Sequence, residues 1–181
     1  MEFEQTKIPG AYVVAPEFRG DDRGGFARVF CRTEFAAQGI TAHVEQANLS
    51  TNVSAGTLRG LHYQLSPAAE TKLVRCIRGA LFDVVVDLRP DSPTFGGWDG
   101  VELSAENQLA LLVPEGCAHG FQTLVDDTSA LYHVSAAYSP EDERGVHHAD
   151  PAIGITLPLA VTNLSPRDTS LPQLAEAELQ R

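Results

Sequence analysis

The chain has little cysteine, little positive charge and no long apolar run, and each shortage narrows what it does. Its three cysteines, Cys31, Cys76 and Cys117, are scattered and form no C-x-x-C pair. That argues against a disulfide frame and for free thiols in a reducing cytoplasm. No run approaches the roughly 20 apolar residues that a membrane-spanning helix requires, and Met1-Glu2-Phe3-Glu4-Gln5 is too polar and acidic for a signal peptide. Thirteen Lys and Arg against 24 Asp and Glu leave a net charge of −11, which excludes general attraction to nucleic acid or an anionic membrane. An anionic small ligand stays allowed, because a few cations gathered in a cleft bind a phosphate whatever the global balance. Repeats, low-complexity tracts and linkers are missing too, so the 181 residues read as one domain spanning 1–181.

Short strand-like runs punctuated by Gly, Pro, Asp and Asn fill the chain from about Val44 to Tyr138. The clearest are Lys72–Ile77, Ala80–Leu88, Gly100–Leu103, Leu109–Val113, Gly120–Val125 and Ala130–Tyr138. In the second of these, Phe82, Val84, Val86 and Leu88 share one face. Helix signals are few: a short turn at Thr33–Ala37 and a terminal helix at Leu171–Leu179. The expected class is all-β, an antiparallel sandwich or jelly-roll barrel with a few short helices and an open mouth lined by inward side chains.

Two stretches point to that mouth. Gly56-Thr57-Leu58-Arg59-Gly60-Leu61-His62-Tyr63-Gln64 has a Gly, five residues and then His-x-Gln, where small metal-binding barrels have His-x-His. Pro114-Glu115-Gly116-Cys117-Ala118-His119 reproduces the second motif of such barrels. With Gln64 in place of a ligand the metal set is broken, and an imidazole without a metal is free to act as a base. His62 and Gln64 share a strand face, whereas Arg59 has the opposite parity; for Arg59 to reach the same pocket, a bulge at Gly60 must reset the register.

His62 is the candidate base, although a lone His is more often a satisfied structural residue; several carboxylates are available to pair with it, and spacing does not choose among them. Tyr132 shares parity with Val134 and Tyr138, so both tyrosines can face one pocket. A phenol across a substrate from the imidazole would return a proton to the opposite face of a carbon, and the Lys72 ammonium would steady an enolate oxygen. Arg23, Arg59, Gln46 and Asn48 are the phosphate-type donors, with Arg23 pairing to Asp21 or Asp22 as the plainer alternative. His147-His148 would point opposite ways on a strand and so would not chelate together. The carboxylates of Pro140-Glu141-Asp142-Glu143-Arg144-Gly145 read as a solvated turn, and Trp98 as a core anchor.

Taken together, Leu58–Gln64, Lys72-Leu73-Val74-Arg75-Cys76, Phe82–Arg89, Ser92-Pro93-Thr94-Phe95-Gly96, Pro114–Phe121 and Tyr138–Glu143 make the chain similar to the dTDP-4-dehydrorhamnose 3,5-epimerase family. The resemblance to these cupin-fold epimerases of dTDP-sugar pathways runs from Ile8-Pro9-Gly10 to Asp168. It implies that His62 is the base, Asp168 its carboxylate partner, Tyr132 the acid and Lys72 the enolate-stabilising cation. It further implies substrate and phosphate contacts from His119, Arg59, Arg23, Gln46 and Asn48, and a nucleotide-side role for Tyr138 and Phe26. No metal and no cofactor are expected, and the implied form is a cytoplasmic homodimer that exchanges N-terminal strands, so that Arg23 serves the partner's site. The implied reaction inverts dTDP-4-dehydro-6-deoxy-D-glucose at C3 and C5, giving dTDP-4-dehydro-L-rhamnose, because the C4 ketone acidifies both flanking carbons. The alternative is an epimerase of a single carbon, C3 or C5, from an antibiotic-sugar pathway. More distant alternatives are a metal-dependent cupin enzyme and a binding protein without chemistry. The chain departs from the family at Arg28, where a Glu is usual, at His148-Ala149-Asp150-Pro151 and at Thr156-Leu157-Pro158. These departures bear on base recognition, packing and the pocket rim.

Overall fold

Alternating burial along the strands builds two facing sheets, as a computed structural model describing residues 1–179 shows. The strands are β1 (Glu2–Gln5), β2 (Tyr12–Ala15), β3 (Phe18–Asp21), β4 (Gly24–Ala27), β5 (Gln46–Asn52), β6 (Leu58–Gln64) and β7 (Lys72–Arg78). They continue as β8 (Ala80–Asp87), β9 (Trp98–Ser104), β10 (Ala110–Val113), β11 (Cys117–Thr123), β12 (Thr128–Val134) and β13 (Glu143–Gly145). Helices α1 (Arg32–Ala37) and α2 (Pro166–Thr169) and one 3₁₀ turn (Leu174–Glu176) complete the described elements. A six-stranded sheet runs β1-β2-β10-β7-β12-β5 and a five-stranded sheet β13-β6-β11-β8-β9, while β3 and β4 form a separate hairpin. The two main sheets are antiparallel throughout. Among the described residues no helix is long and apolar enough to cross a membrane.

Between the sheets, Val74, Cys76, Leu81, Val85, Leu111 and Phe121 form one apolar core. The face carrying Phe82, Val84, Val86 and Leu88 turns outward instead, where residues 146–179 cover it with Val146, Ile153, Leu157 and Leu174. Every residue of β11 is therefore buried. On the outer face of the six-stranded sheet, α1 places Phe35 over Val14, Leu73 and Leu112. The three cysteines are free thiols, and burial pushes the Cys117 thiol up to about 12.

Three sequence expectations change. The strand expected to reach Tyr138 ends at Val134, because its partners β7 and β5 stop opposite that residue, at Lys72 and Gln46. The helix expected over Leu171–Leu179 is only the 3₁₀ turn: the Leu174 N–H donates to Asp150 and the Glu178 carbonyl accepts from the Tyr63 hydroxyl, so these groups tie the segment to the sheet. Helix α2 was not expected. Its start carries a Ser165 cap whose Oγ accepts from the Asp168 N–H at 3.0 Å, followed by Pro166 in the first turn.

The bulge required at Gly60 is present. His62 pairs with His119 and Arg59 with Phe121, so two residues of β6 oppose one of β11. Gly60 has φ +114°, and a Cβ there would sit 2.7 Å from the Cα of Gly120 and the carbonyl of His119. Only a residue without a side chain fits this crossing. The second buried anchor is Asp87, whose carboxylate accepts from Arg89 (2.8 Å), Ser92 and Thr94 (2.6 Å). Burial alone would raise its carboxyl, but these bonds outweigh it and hold it at about 2.

Gly60→Ala is expected to cost roughly 3 kcal/mol from the positive φ and the backbone clash, read as a lowered urea midpoint. Asp87→Asn is expected to cost about 2 kcal/mol at pH 7. Because the folded carboxyl lies near 2 and the ordinary value is 3.8, that contribution is complete above about pH 5 and disappears as pH falls through 4 toward 2. Urea titrations of both proteins at pH 7 and pH 3 measure whether the difference shrinks.

Candidate active site

One half of the space between the sheets is apolar core; the other half opens as a cavity of about 440 Å³. From the five-stranded sheet come Arg59, His62 and His119; from the six-stranded sheet come Ser50, Lys72 and Tyr132. The loop leading into α2 adds Ser165, Arg167 and Asp168. A contiguous groove of about 200 Å³ shares His62, Lys72 and Tyr132 and continues to Gln46, Asn48, Tyr138 and Glu143. Nine of the eleven residues singled out from the sequence therefore line one connected space.

His62 Nε2 lies 2.6 Å from Asp168 Oδ1. A carboxylate at that nitrogen accepts its proton and leaves Nδ1 with the free lone pair of the neutral ring. Burial works to raise the Asp168 carboxyl, but the bond from His62 and the Gly60 N–H outweigh it and hold it below the usual range. The bulge thus does two things: it turns Arg59 inward and offers its own N–H to the carboxylate behind His62. His119, directly across the ladder from His62, has its Nε2 2.7 Å from Asp83 Oδ1. Asp83 is fully buried and its second oxygen has no hydrogen-bond partner among the described residues. Burial drives its carboxyl above the usual value against the pull of His119 and Lys72.

On the facing sheet, Tyr132 pairs with Val74 and Lys72 with Val134, so the phenol and the ammonium are diagonal neighbours on one inward face. Burial raises the Tyr132 hydroxyl above 10, the charges of Glu70 and Glu143 add to that, and Arg59 opposes it. Arg59 is aimed by the end of β5, donating through Nε to Asn52 Oδ1 at 2.7 Å. Gln64, in the position of the missing metal ligand, is 3% exposed and committed to loop backbone. It donates to the Ala68 carbonyl at 2.8 Å and accepts from the Ser139 N–H at 2.7 Å. Among the described residues no group of three or more His, Cys, Asp or Glu side chains is disposed to hold a metal ion.

Tyr138 reaches the groove from a loop, its N–H donating to Gln46 Oε1 at 3.1 Å, and not from the strand expected. Glu143, read from sequence as part of a solvated turn, belongs to the groove. β13 pairs it with Gln64, and its carboxylate accepts from the Tyr138 hydroxyl and from Arg167 at 2.6 Å. Nothing in the acidic run around it distinguished it, and Arg167 carried no signal beyond its place beside Asp168. The rings of His147 and His148 stack at 4.6 Å, because they lie in a loop where strand alternation does not apply.

Arg23 and Phe26 are not brought to the cavity of their own chain. Both lie on the exposed β3–β4 hairpin; Arg23 pairs with Asp21, and Phe26 is 69% exposed. Arg28 pairs with Glu34 beside that hairpin.

The family model for dTDP-4-dehydrorhamnose 3,5-epimerase matches residues 5–176. The dTDP-4-dehydrorhamnose 3,5-epimerase of Sinorhizobium fredii is 48% identical over 97% of this chain and 91% of its own length. A dTDP-4-dehydrorhamnose 3-epimerase of Streptomyces niveus is 42% identical over 98% of this chain and 86% of its own. A crystal structure of the 3,5-epimerase from Bacillus anthracis, with TDP and PPi bound, superimposes with a TM-score of 0.92 at 42% identity, covering 95% of this chain and 98% of that one. With near-complete coverage in both sequence and fold, the chain belongs to the dTDP-4-dehydrorhamnose 3,5-epimerase family.

Proposed function

We propose that this epimerase inverts C3 and C5 of dTDP-4-dehydro-6-deoxy-D-glucose through an enolate, with His62 as base and Tyr132 as acid. The observation that carries the reading is the opposition of the two sheets. The His62–Asp168 pair stands on one side of the cavity, with Tyr132 and Lys72 on the other. An epimerase needs a proton removed from one face of a carbon and another delivered to the opposite face. His62 Nδ1 takes the proton from the carbon next to the ketone, and Asp168 stabilises the imidazolium that forms. Negative charge moves to the C4 oxygen, where Lys72 supplies the counter-charge in a site largely shielded from water. Tyr132, whose raised hydroxyl stays protonated at neutral pH, donates to the far face. Arg59 and His119 sit at the end suited to the phosphates and sugar hydroxyls, and Gln46, Asn48 and Tyr138 at the groove suited to the nucleoside.

The partner's hairpin completes each site in this reading. Arg23 and Phe26 project into solvent, and apolar Leu49 (62% exposed) and Ile77 (46%) lie uncovered on the outer face of the six-stranded sheet. A second copy packed there would cover that face and bring one hairpin over the other chain's groove. Inversion at C3 alone is the second reading, favoured by the comparable similarity to the 3-epimerase of Streptomyces niveus.

Proton NMR of the 4-keto sugar nucleotide in deuterated buffer separates these outcomes: loss of signal at C3 and C5 is expected, and loss at C3 alone selects the second reading. His62→Ala is expected to lower exchange at both carbons by about 10³-fold, whereas Tyr132→Phe leaves exchange but impairs inversion at C5. Near-normal turnover by His62→Ala would contradict the mechanism. Mixing inactive His62→Ala and Arg23→Ala chains should restore about a quarter of wild-type activity, since half the dimers are mixed and each has one intact site. No recovery on mixing would place Arg23 at its own chain's site.

A further inference from the structure

Glu70 is a partly buried acid that neither the sequence motifs nor the proposed mechanism uses, and it lies against the cation that mechanism needs most. It sits just before β7, its side chain 10% exposed, with Oε1 3.1 Å from the Lys72 ammonium, itself 11% exposed. Lys72 Nζ is also 3.5 Å from the His62 carbonyl oxygen. Both Glu70 and Lys72 line the groove beside Tyr132. An ammonium has three N–H donors. With one donor turned to Glu70 and another to the backbone of β6, one is left for the cavity that Lys72 lines.

We infer that Glu70 is a positioning residue that holds the Lys72 ammonium at the place where the C4 oxygen gains charge. A four-carbon side chain without that anchor has several rotamers and competing attractions. Asp83, whose charge also reaches Lys72, lies toward His119, and Glu143 lies along the groove. Glu70 also offsets part of the cost of burying the ammonium, which explains a carboxylate in a site that handles an anionic substrate. The inference rests on the enolate-stabilising role proposed above for Lys72. Because that contact strengthens only as the enolate forms, loss of the anchor falls on kcat and leaves KM nearly unchanged.

The test compares Glu70→Ala, Glu70→Gln, Lys72→Ala and Glu70→Ala/Lys72→Ala by deuterium exchange into the 4-keto sugar nucleotide, with thermal melting as a check on folding. Glu70→Ala is expected to lower kcat about tenfold with KM within about twofold. Glu70→Gln keeps an acceptor for the ammonium and is expected to recover most of that loss. In the Lys72→Ala background, Glu70→Ala is expected to cost nothing further, the signature of a residue that acts through another. Unchanged kcat in Glu70→Ala, or an equal further loss when Lys72 is already absent, overturns the inference. Full activity of Lys72→Ala would instead overturn the role of Lys72 itself, a result distinct from a silent Glu70→Ala beside an impaired Lys72→Ala.

Discussion

The close approach of β6 and β11 at Gly60 and Gly120 is the constraint on which the cavity depends. A Cβ on Gly60 would meet Gly120, and a Cβ on Gly120 would lie 2.6 Å from the Arg59 carbonyl, so the two glycines allow a crossing no other pair permits. The extra residue it inserts into β6 turns Arg59 to the cavity side that His62 and His119 share. It also delivers the Gly60 N–H to Asp168. Backbone geometry, the choice of inward side chains and the support of the imidazole are here one local event.

Around that crossing the site follows a consistent electrostatic rule. Asp168 stands at His62, Asp83 at His119, Glu70 at Lys72 and Glu143 at Arg167, so four basic groups in the cavity each have a carboxylate, while Arg59 is held by the Asn52 amide oxygen. An acidic chain therefore presents to the cavity not bare positive charge but cations held in fixed directions. Such pairs add little net stability once desolvation is counted. Their value lies in orientation, because a preorganised charge need not reorient while a reaction proceeds.

Much of this was legible in the sequence, for a physical reason in each case. Strand alternation placed Phe82, Val84, Val86 and Leu88 together, and parity tied any inward Arg59 to a bulge at Gly60, for which the glycine was the one sequence sign. Gly56-x₅-His62 and Pro114-x₄-His119 marked the mouth because turn and ligand spacing are local properties. Long-range choices were not local. Asp168 lies 106 residues from His62, and only the family resemblance singled it out from the other carboxylates. Glu143 looked like its acidic neighbours until β13 paired with β6, and the tail at Leu171–Leu179 forms bonds to Tyr63 and Asp150 that no periodicity records. The stacking of His147 on His148 was missed because a strand rule was applied to a loop.

The covering of the five-stranded sheet by residues 146–179 has a consequence for the order in which the protein is made. Every strand of both sheets is complete once Gly145 has been added. At that point His62 has its place in the cavity wall, yet the carboxylate that fixes its tautomer is still unsynthesised. The outer face of β8 and β11 is bare at the same moment, with Val84, Val86 and Ala118 exposed. One stretch of late chain then both seals that surface and installs Asp168. A growing polypeptide thus acquires its acid–base pair only as it covers that apolar face, and a prematurely ended one lacks the pair and leaves the face bare.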